Sequence, residues 1–344
     1  MSDPTLSELI QSLRASRAWQ RKQDLHQLSA GLFPFAPLVG GEPVMLGDDA
    51  AAVPLKSLGG EALDGYLLLA AEVIWPPLVR ADPYLAGRNA VLTNVNDIYA
   101  MGGRPLALVN TILAETGETA TEIARGLRDG CERYDLPILG GHLTAAGDFS
   151  SVAAFILGRA THLLTSFAAR PGDDLLLATR LDGRFHPQFP FWDCAWHLEA
   201  SVLRDDLDLL PQLAERGLCD AARDVSMAGI LGSALMLLEP SRVGAVIHLD
   251  RIPRPAAAEG RLTDWLMAFP GYGFVLSVRP NHTPQVCQEF NRRGLACEAI
   301  GTVTSERRVL LRTGEAEALL WNFDAEPFVG FTPPPTFRPA PAGG

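Results

Sequence analysis

The sequence predicts two domains: an N-terminal α/β domain followed by a C-terminal α+β domain. The chain has 344 residues, which is longer than an ordinary single domain of about 100–200 residues. Short apolar runs bounded by Gly and Pro alternate with segments of helical periodicity, and this alternation is typical of layered folds. A Pro171-Gly172 step separates two such sets of elements, as expected at a joint between domains.

In the first half, an amphipathic helix is predicted over 4–29, with Ser2 or Asp3 as its cap and Pro4 in its first turn. Asp82 and Pro83 are expected to open a second helix that stops at Gly102-Gly103, because Asp is a good cap and Pro suits the first helical position. A further helix is predicted over 118–135, a buried strand over 65–74, and further strands over 104–113, 136–141 and 150–160.

The second half repeats a mixed pattern after the joint at 166–174. Helices are predicted near 194–216, 226–239 and 283–293, and strands over 174–181, 243–249, 273–278 and 297–303. The last stretch is rich in Pro and Gly, so we expect a mobile tail. The predicted division is an N-terminal helix and linker (1–39), two domains (40–165 and 166–326) and the tail (327–344).

Composition excludes several classes of protein. A net charge of −11 with only two lysines, Lys22 and Lys56, disfavours nucleic acid as a partner. The five cysteines are scattered and never form a C-x-x-C pair, which favours reduced thiols in the cytoplasm. The N-terminus lacks the apolar run of a signal peptide, and no window has the ~20 uninterrupted apolar residues of a membrane span.

The sharpest motif is Gly47-Asp48-Asp49-Ala50-Ala51. Adjacent carboxylates supply the oxygen ligands that Mg²⁺ prefers, and small neighbours allow a triphosphate to approach the backbone. Without further context, a turn followed by a helix cap explains the motif equally well.

Three further polar positions stand in apolar surroundings. Asn94 and Asp97 are three residues apart on the predicted second helix and therefore share one face. Glu72 interrupts an apolar strand, where a carboxylate is costly unless it is paired or binds a metal. An isolated polar residue satisfied by its neighbours is the ordinary alternative at each position.

Other segments give weaker signals. Gly140, Gly141, His142 and Thr144 are predicted to end a strand at a phosphate site, although Gly-Gly turns are common. Asp224-Val-Ser226 precedes a helix of small residues and could be either an anion site or an ordinary cap. The aromatic segment 183–197 could shape an acceptor pocket or belong to the core.

Classical motifs are missing from the chain. It has no G-x-x-x-x-G-K-[ST] loop, no G-x-S-x-G elbow and no H-E-x-x-H helix, and the Cys194-x-x-His197 pair has no matching half for a zinc site. P-loop, serine-hydrolase and zinc chemistries are therefore unsupported.

In their order along the chain, GDDAA, DPYLAGRNAVLTNVNDIYAMGGRP, LGGHLT, ARPGDDLLLA and DVSMAGILG resemble the aminoimidazole ribonucleotide (AIR) synthetase-like superfamily over about residues 40–305. This superfamily includes thiamine-monophosphate kinase and selenophosphate synthetase. The resemblance implies a homodimer formed through the N-terminal sheet, ATP and Mg²⁺ in the cleft, and phosphorylation or ATP-dependent activation of a small-metabolite acceptor.

The resemblance also implies roles for individual residues. Asp97 and Asp48 would be catalytic. The nucleotide would contact Gly47, Asp49, Asn94, Gly140, Gly141, His142 and Thr144. The metal ligands would be Asp48, Asp49, Glu72, Asp97 and Asp224.

Departures from the family pattern leave the acceptor open. Glu72 stands where most members have Asp, and Met227-Ala228 replaces the Asp-Gly that usually follows Asp-x-Ser in thiamine-monophosphate kinase. His142 resembles selenophosphate synthetase, but the loop ahead of GDDAA lacks a reactive Cys, and Lys22 falls in the predicted helix. A thiamine-monophosphate kinase-like enzyme and a non-catalytic nucleotide-binding regulator are the alternatives.

Overall fold

The computed structural model describes residues 3–32, 37–59, 64–269 and 271–331, with the backbone alone for 26–32. The helices in this part of the chain are α1 Leu6–Ala15, α2 Arg17–Leu32, α3 Pro76–Ala81, α4 Pro83–Ala100, α5 Gly117–Tyr134, α6 Ala200–Leu207, α7 Leu209–Glu215, α8 Gly229–Leu238, α9 Leu262–Met267 and α10 Thr283–Asn291.

The strands fall into two large sheets and two short hairpins. The strands of the first half are β1 Leu38–Val39, β2 Glu42–Pro43, β3 Ala51–Pro54, β4 Tyr66–Val73, β5 Arg104–Ala114, β6 Ile138–Ala145 and β7 Ser151–Ala160. Those of the second half are β8 Asp174–Thr179, β9 Arg184–Phe185, β10 Trp192–Asp193, β11 Ala221–Asp224, β12 Gly244–His248, β13 Gly273–Val278, β14 Ala296–Thr304, β15 Arg308–Thr313 and β16 Ala316–Asn322.

The predicted N-terminal helix is two helices, which corrects the prediction of a single one. Ser16 between α1 and α2 has an extended backbone with ψ of 141°, and its hydroxyl accepts a hydrogen bond from the backbone N–H of Trp19. The cap of α1 is Thr5, not Ser2 or Asp3, because Thr5 and Glu8 form a reciprocal capping box. Pro4 therefore lies ahead of the cap; Ser2 is outside the described residues.

The N-terminal domain has a five-stranded sheet in the order β3-β4-β7-β5-β6, with β5 and β6 parallel and the other pairs antiparallel. α4 packs against one face of this sheet, and α5 packs against α4. Leu68, Ile112 and Ile156 from three strands are buried beneath the helices. As predicted, Asp82 caps α4 by accepting the backbone N–H of Leu85 at 2.8 Å.

The opposite face of this sheet is not covered. Leu69 and Val73 on β4, Leu139 on β6 and Phe155 on β7 are between 44% and 70% exposed, and every residue of β6 is exposed. The prediction of a buried strand over 65–74 is therefore wrong for this face of β4. Apolar runs read as buried strands because periodicity does not distinguish a covered apolar face from an exposed one.

The C-terminal domain has a seven-stranded sheet in the order β11-β13-β8-β14-β12-β15-β16. β8 is an inner strand of this sheet, and its residues Leu175, Leu176 and Leu177 are fully buried. α8 packs against β11 and β13, and all ten of its residues are buried. β11, β15 and β16 were not predicted, because the first is only four residues long and the others form a hairpin near the end of the domain.

The first residues of the predicted tail are packed, which corrects the prediction that it is mobile from residue 327. Phe328 is fully buried, and its ring lies 5.2 Å from each of the Trp19 and Trp321 rings. The buried Glu239 carboxylate accepts the backbone N–H groups of Phe328 and Val329 at 2.9 and 2.8 Å. The two ends of the described chain thus meet on the C-terminal domain, while 332–344 lie outside the described residues.

Across the described ranges, we find no helix that combines the length and apolar character needed to cross a bilayer.

Candidate functional site

Three carboxylates from separate parts of the chain converge between the two domains. Asp49 lies just before β3, Asp97 in the last turn of α4 and Asp224 at the end of β11. One oxygen from each lies within 4.8 Å of the others. We call these three residues the acidic cluster. The sequence predicted all three as metal ligands, and the structure brings them together.

Two oxygens of the acidic cluster have no hydrogen-bond partner among the described residues. Oδ2 of Asp97 and Oδ1 of Asp224 are buried and unpaired, on residues that are only 7% and 4% exposed. Buried carboxylate oxygens are normally satisfied. Unpaired acceptors at this spacing, contributed by oxygen ligands only, fit a hard cation such as Mg²⁺. The residues present therefore fit the metal that the sequence predicts.

Arg223 was missed by the sequence analysis and is the cation that organises the cluster. Its Nη2 lies 3.0 Å from Oδ1 of Asp49, and its Nη1 donates to the carbonyl of Gly47 at 3.1 Å and to Oγ of Ser166 at 3.0 Å. The sequence offered one signal for this role: Arg223 follows two alanines and directly precedes Asp224. A buried guanidinium with several acceptors fixes the position of the loop that carries Asp49.

Asp48 points away from the acidic cluster, toward the joint between the domains. Its two oxygens accept hydrogen bonds from the hydroxyl of Thr165 and from the backbone and hydroxyl of Ser166, the latter at 2.8 Å from Oγ. Asp48 therefore ties the GDDAA loop to the predicted joint. The structure does not bring its carboxylate into the cluster, and its metal and catalytic roles stay predictions.

The loop geometry explains why glycine precedes the two aspartates. Gly47 has a φ of 107°, and a Cβ at this position would lie 2.3 Å from Cβ of Phe331. Both the left-handed backbone and the close approach exclude larger residues. The start of the tail thus packs against the loop that carries Asp48 and Asp49.

Burial dominates the electrostatics of the cluster. It raises the pKa of Asp49 to about 8 and that of Asp224 to about 6, while Arg223 opposes both shifts. Burial and the nearby Asp224 carboxylate raise the pKa of Asp97 well above its usual range. Such shifts arise when charges of one sign are crowded in a poorly solvated cleft. A divalent cation would relieve this repulsion.

Glu72 lies beside the cluster rather than in it. Side chains alternate along a strand, so Glu72 shares the helix-facing side of β4 with the buried Leu68. Its side chain is solvent-accessible, yet it is close enough to contribute to the raised pKa of Asp97. Loss of hydration around its carboxylate raises the pKa of Glu72, and the positive charge of Lys22 opposes this shift. Its metal role stays a prediction.

Lys22 also faces the cleft, although the sequence predicts only a helical position for it. It lies on α2 one turn after Trp19, whose indole N–H donates to the carbonyl of Ala228 at 3.0 Å. Its charged neighbours include Glu72, Asp224 and Asp49, which favour its charged form, whereas burial and Arg223 lower its pKa. The sequence did offer a signal for this residue, because Lys22 is one of only two lysines in an arginine-rich chain.

Asn94 is buried on the same face of α4 as Asp97. Its Nδ2 donates to the carbonyl of Ala90 at 2.8 Å, and its Oδ1 is buried without a partner in the described part of the chain. The predicted amide and carboxylate therefore both carry an unpaired oxygen. Its nucleotide-binding role stays a prediction.

The Gly140 to Thr144 segment is not next to the acidic cluster in a single chain. It lies within β6 rather than at its end, which corrects the predicted position. β6 is three strands away from β4, or roughly 14 Å at the usual strand spacing. His142 Nε2 lies 3.1 Å from the hydroxyl of Thr144 at this exposed edge. The predicted nucleotide contacts of these four residues stay predictions.

The Asp224-Val-Ser226 turn precedes α8 as predicted. Ala228 at the start of this helix has a φ of 100°, a left-handed conformation that alanine rarely adopts. Ala228 stands where thiamine-monophosphate kinase usually has Gly, and it is therefore a strained residue beside the acidic cluster.

Comparisons with known proteins show the family and the fold to which the chain is similar. A family model described as AIR synthase related protein, N-terminal domain, matches residues 47–160, and its C-terminal counterpart matches 198–313. The chain is 42% identical over 328 residues to an uncharacterized protein of Synechocystis, covering 95% of this chain and 99% of that protein. It is 29% identical over 254 residues to the selenide, water dikinase of Burkholderia ambifaria, covering 68% and 65% of the two chains.

Among solved structures, PurL of Thermotoga maritima complexed with ATP superposes with a TM-score of 0.68 at 19% identity. The match covers 92% of this chain and 52% of that chain, so the protein spans about half the length of PurL. At this identity the likeness shows the fold, and it confirms the predicted two-domain AIR synthetase-like architecture. Because the two family models together match more than half of its residues, the chain belongs to the AIR synthase related protein family.

Proposed function

We propose that the protein is an ATP- and Mg²⁺-dependent enzyme that phosphorylates or activates a small-metabolite acceptor. One observation carries this proposal: Asp49, Asp97 and Asp224 converge with two buried, unpaired carboxylate oxygens. One relative is named selenide, water dikinase, and PurL, which has the same fold, was solved with ATP. Both support ATP as the nucleotide. The sequence does not predict which small metabolite is the acceptor.

The chain's own residues would position the reactants. The acidic cluster would hold Mg²⁺, which neutralises phosphate oxygens when bound. Arg223 fixes the Asp49 carboxylate through a 3.0 Å ion pair. Asp48 anchors the same loop to Ser166 at the joint. This arrangement requires no protein nucleophile, because phosphoryl transfer depends mainly on positioning and charge stabilisation.

Replacing Asp97 tests the proposal. We expect Asp97→Asn to abolish Mg²⁺-dependent formation of ADP from ATP, because an amide cannot supply the buried charge that would face the metal. The measurement is ADP production by purified protein incubated with Mg-ATP and a pool of small metabolites, with labelled ATP to reveal a phosphorylated product. Thiamine monophosphate, included separately, tests the kinase-like alternative directly.

Asp324→Asn is the matched control. Asp324 is an exposed carboxylate that pairs with Arg307 and does not belong to the acidic cluster. This variant should retain full activity. Undiminished turnover in Asp97→Asn would contradict the role of the acidic cluster. Binding of a non-hydrolysable Mg-ATP analogue without any turnover in the native protein would replace the enzyme proposal with the nucleotide-binding regulator.

We further propose that two copies associate through the uncovered face of the N-terminal sheet. This face presents a groove of about 350 Å³ lined by apolar residues such as Leu69, Val109 and Phe155. Contiguous exposed apolar surface of this kind is uncommon on monomers. Such pairing would also cover β6 and its Gly140 to Thr144 segment.

A further inference from the structure

A second cavity lies between α4 and the aromatic segment at 183–197. Its volume is about 340 Å³, which falls within the size range of small-molecule sites. Residues of the first half of α4 form one wall, and the β9–β10 hairpin forms the other. None of the acidic cluster residues lines it.

The wall formed by the aromatic segment is held firmly to the N-terminal domain. Arg133 on α5 donates from Nη2 to the carbonyls of Ala195 and Leu198. The guanidinium of Arg88 on α4 lies 3.4 Å from the centroid of the Trp196 ring. The cavity is therefore a built feature between two domains rather than a gap beside a free loop.

The unpaired polar atoms of the cavity wall are all hydrogen-bond donors. Nε and Nη2 of Arg88 and Nε1 of Trp196 are buried without a partner in the described protein. Buried donors are costly to leave unsatisfied. A ligand that satisfies them must offer acceptor atoms, and a guanidinium with two free N–H groups suits a carboxylate or a phosphate.

His186 adds another donor to the same cavity. Its Nδ1 accepts the backbone N–H groups of Gln188 and Phe189 at 3.1 and 3.2 Å. The neutral ring must therefore carry its proton on Nε2, which makes that nitrogen a donor. Arg184 at the exposed rim contributes a further positive charge.

The two carboxylates that line the cavity already have partners. Asp82 accepts the backbone N–H of Leu85 as the cap of α4, and Asp193 lies 3.7 Å from Nη2 of Arg184. The negative charge of Asp193 also favours the charged form of Arg88, whose pKa burial lowers. The donors of Arg88 and Trp196 nevertheless have no acceptor of their own.

We propose that this cavity binds a small organic anion, with its carboxylate or phosphate on Arg88 and Trp196 and its apolar body against Phe185 and Phe191. Arg88 and Asp97 are nine residues apart on α4, which places them about 14 Å apart along the axis and on opposite sides of the helix. The site is therefore separate from the acidic cluster, and it stands independently of the proposed enzyme activity.

Phenyl phosphate and benzoate are suitable probes, and benzyl alcohol is the neutral control. We expect both anions to bind in calorimetric titrations carried out in EDTA without nucleotide, and the alcohol to bind at least about tenfold more weakly. Comparing the two anions distinguishes a phosphate site from a carboxylate site. Saturation-transfer NMR should show contact with the aromatic ring of each bound probe.

Arg88→Met should weaken binding of the preferred anion by about tenfold or more, since it removes the charge and both unpaired donors. Trp196→Phe keeps an aromatic ring at 196 but removes the indole N–H with part of the ring, so it provides a second test if the first variant does not fold. Asp97→Asn should bind the probes normally whether or not the enzyme proposal holds. Equal binding of anions and alcohol, or unchanged affinity in both cavity variants, would overturn the proposal.

Discussion

At the scale of single residues, the acidic cluster stores electrostatic repulsion. Asp49, Asp97 and Asp224 are packed within 4.8 Å of one another with Arg223 as a buried cation. The sequence could predict that the three aspartates matter, because each interrupts an apolar or glycine-rich motif. It could not show that Asp48 and Asp49, although adjacent, point to different partners.

The raised pKa values predict how stability depends on pH. The pKa of Asp49 is raised from 3.8 to about 8, and that of Asp224 from 3.8 to about 6. Between about pH 4 and pH 8, the folded protein therefore binds more protons than the unfolded chain. Its free energy of unfolding should fall as the pH rises through this range. Mg²⁺ should offset this loss by binding the deprotonated cluster.

Thermal unfolding with and without MgCl₂ at pH 5 and pH 8 measures this effect. We expect Mg²⁺ to raise Tm more at pH 8, and Asp224→Asn to reduce the difference between the two pH values. A stabilisation by Mg²⁺ that is equal at both pH values would count against a cation bound by the cluster.

At the scale of elements, the N-terminal sheet has one face covered by helices and one face open. Leu139 is 70% exposed, Val73 64% and Leu69 47%. All three belong to strands whose other face or neighbours form the core. The sequence indicated strands here, but apolar side chains on an outward face look the same as those in a core.

Charge on this face should separate the proposed dimer. We expect Leu139→Glu combined with Phe155→Glu to change the mass in solution from twice 37.0 kDa to 37.0 kDa, because burying two carboxylates between copies is costly. Light scattering after gel filtration makes the measurement. Leu319→Glu, at a 48% exposed leucine on β16 of the other domain, is the control and should leave the mass unchanged. A native protein that is already monomeric would remove the dimer proposal.

At the scale of the whole molecule, the two ends of the described chain share one aromatic core. Trp19 from α2, Trp321 from β16 and Phe328 beyond it pack edge to face, with centroids 5.2 to 5.9 Å apart. Arg14 adds a hydrogen bond to the carbonyl of Leu320 at 3.1 Å. These contacts hold α2, and with it Lys22, at the mouth of the cleft.

Removing the Phe328 ring should therefore destabilise the protein. We expect Phe328→Ala to lower the free energy of unfolding by about 3–5 kcal/mol, the usual cost of truncating a buried phenylalanine. Urea titration followed by tryptophan fluorescence provides the measurement. Phe149→Ala is the matched control, because Phe149 is 58% exposed; an equal loss in both variants would argue against a packed tail.

Much of this architecture could be predicted from the sequence. The cap of α4 at Asp82, its end just before Gly102 and the alternation of strands and helices follow from local rules. The break at Ser16, the four-residue β11 and the packing of Phe328 depend on contacts between residues far apart in the sequence, such as Ala221 with Ser277 and Trp19 with Ala228. Local periodicity carries no information about such partners, which also explains why Arg223 and Lys22 were missed at the site.

The meeting of Trp19 with Phe328 has a consequence during synthesis on the ribosome. α2 emerges early, but the surface that receives its tryptophan is complete only when β16 and the residues after it have been translated. At about 5–20 residues per second, the intervening stretch of roughly 300 residues takes about 15–60 seconds. During that interval the Trp19 indole on the nascent helix lacks its Phe328 contact. The native cleft is therefore assembled after translation has passed Phe328.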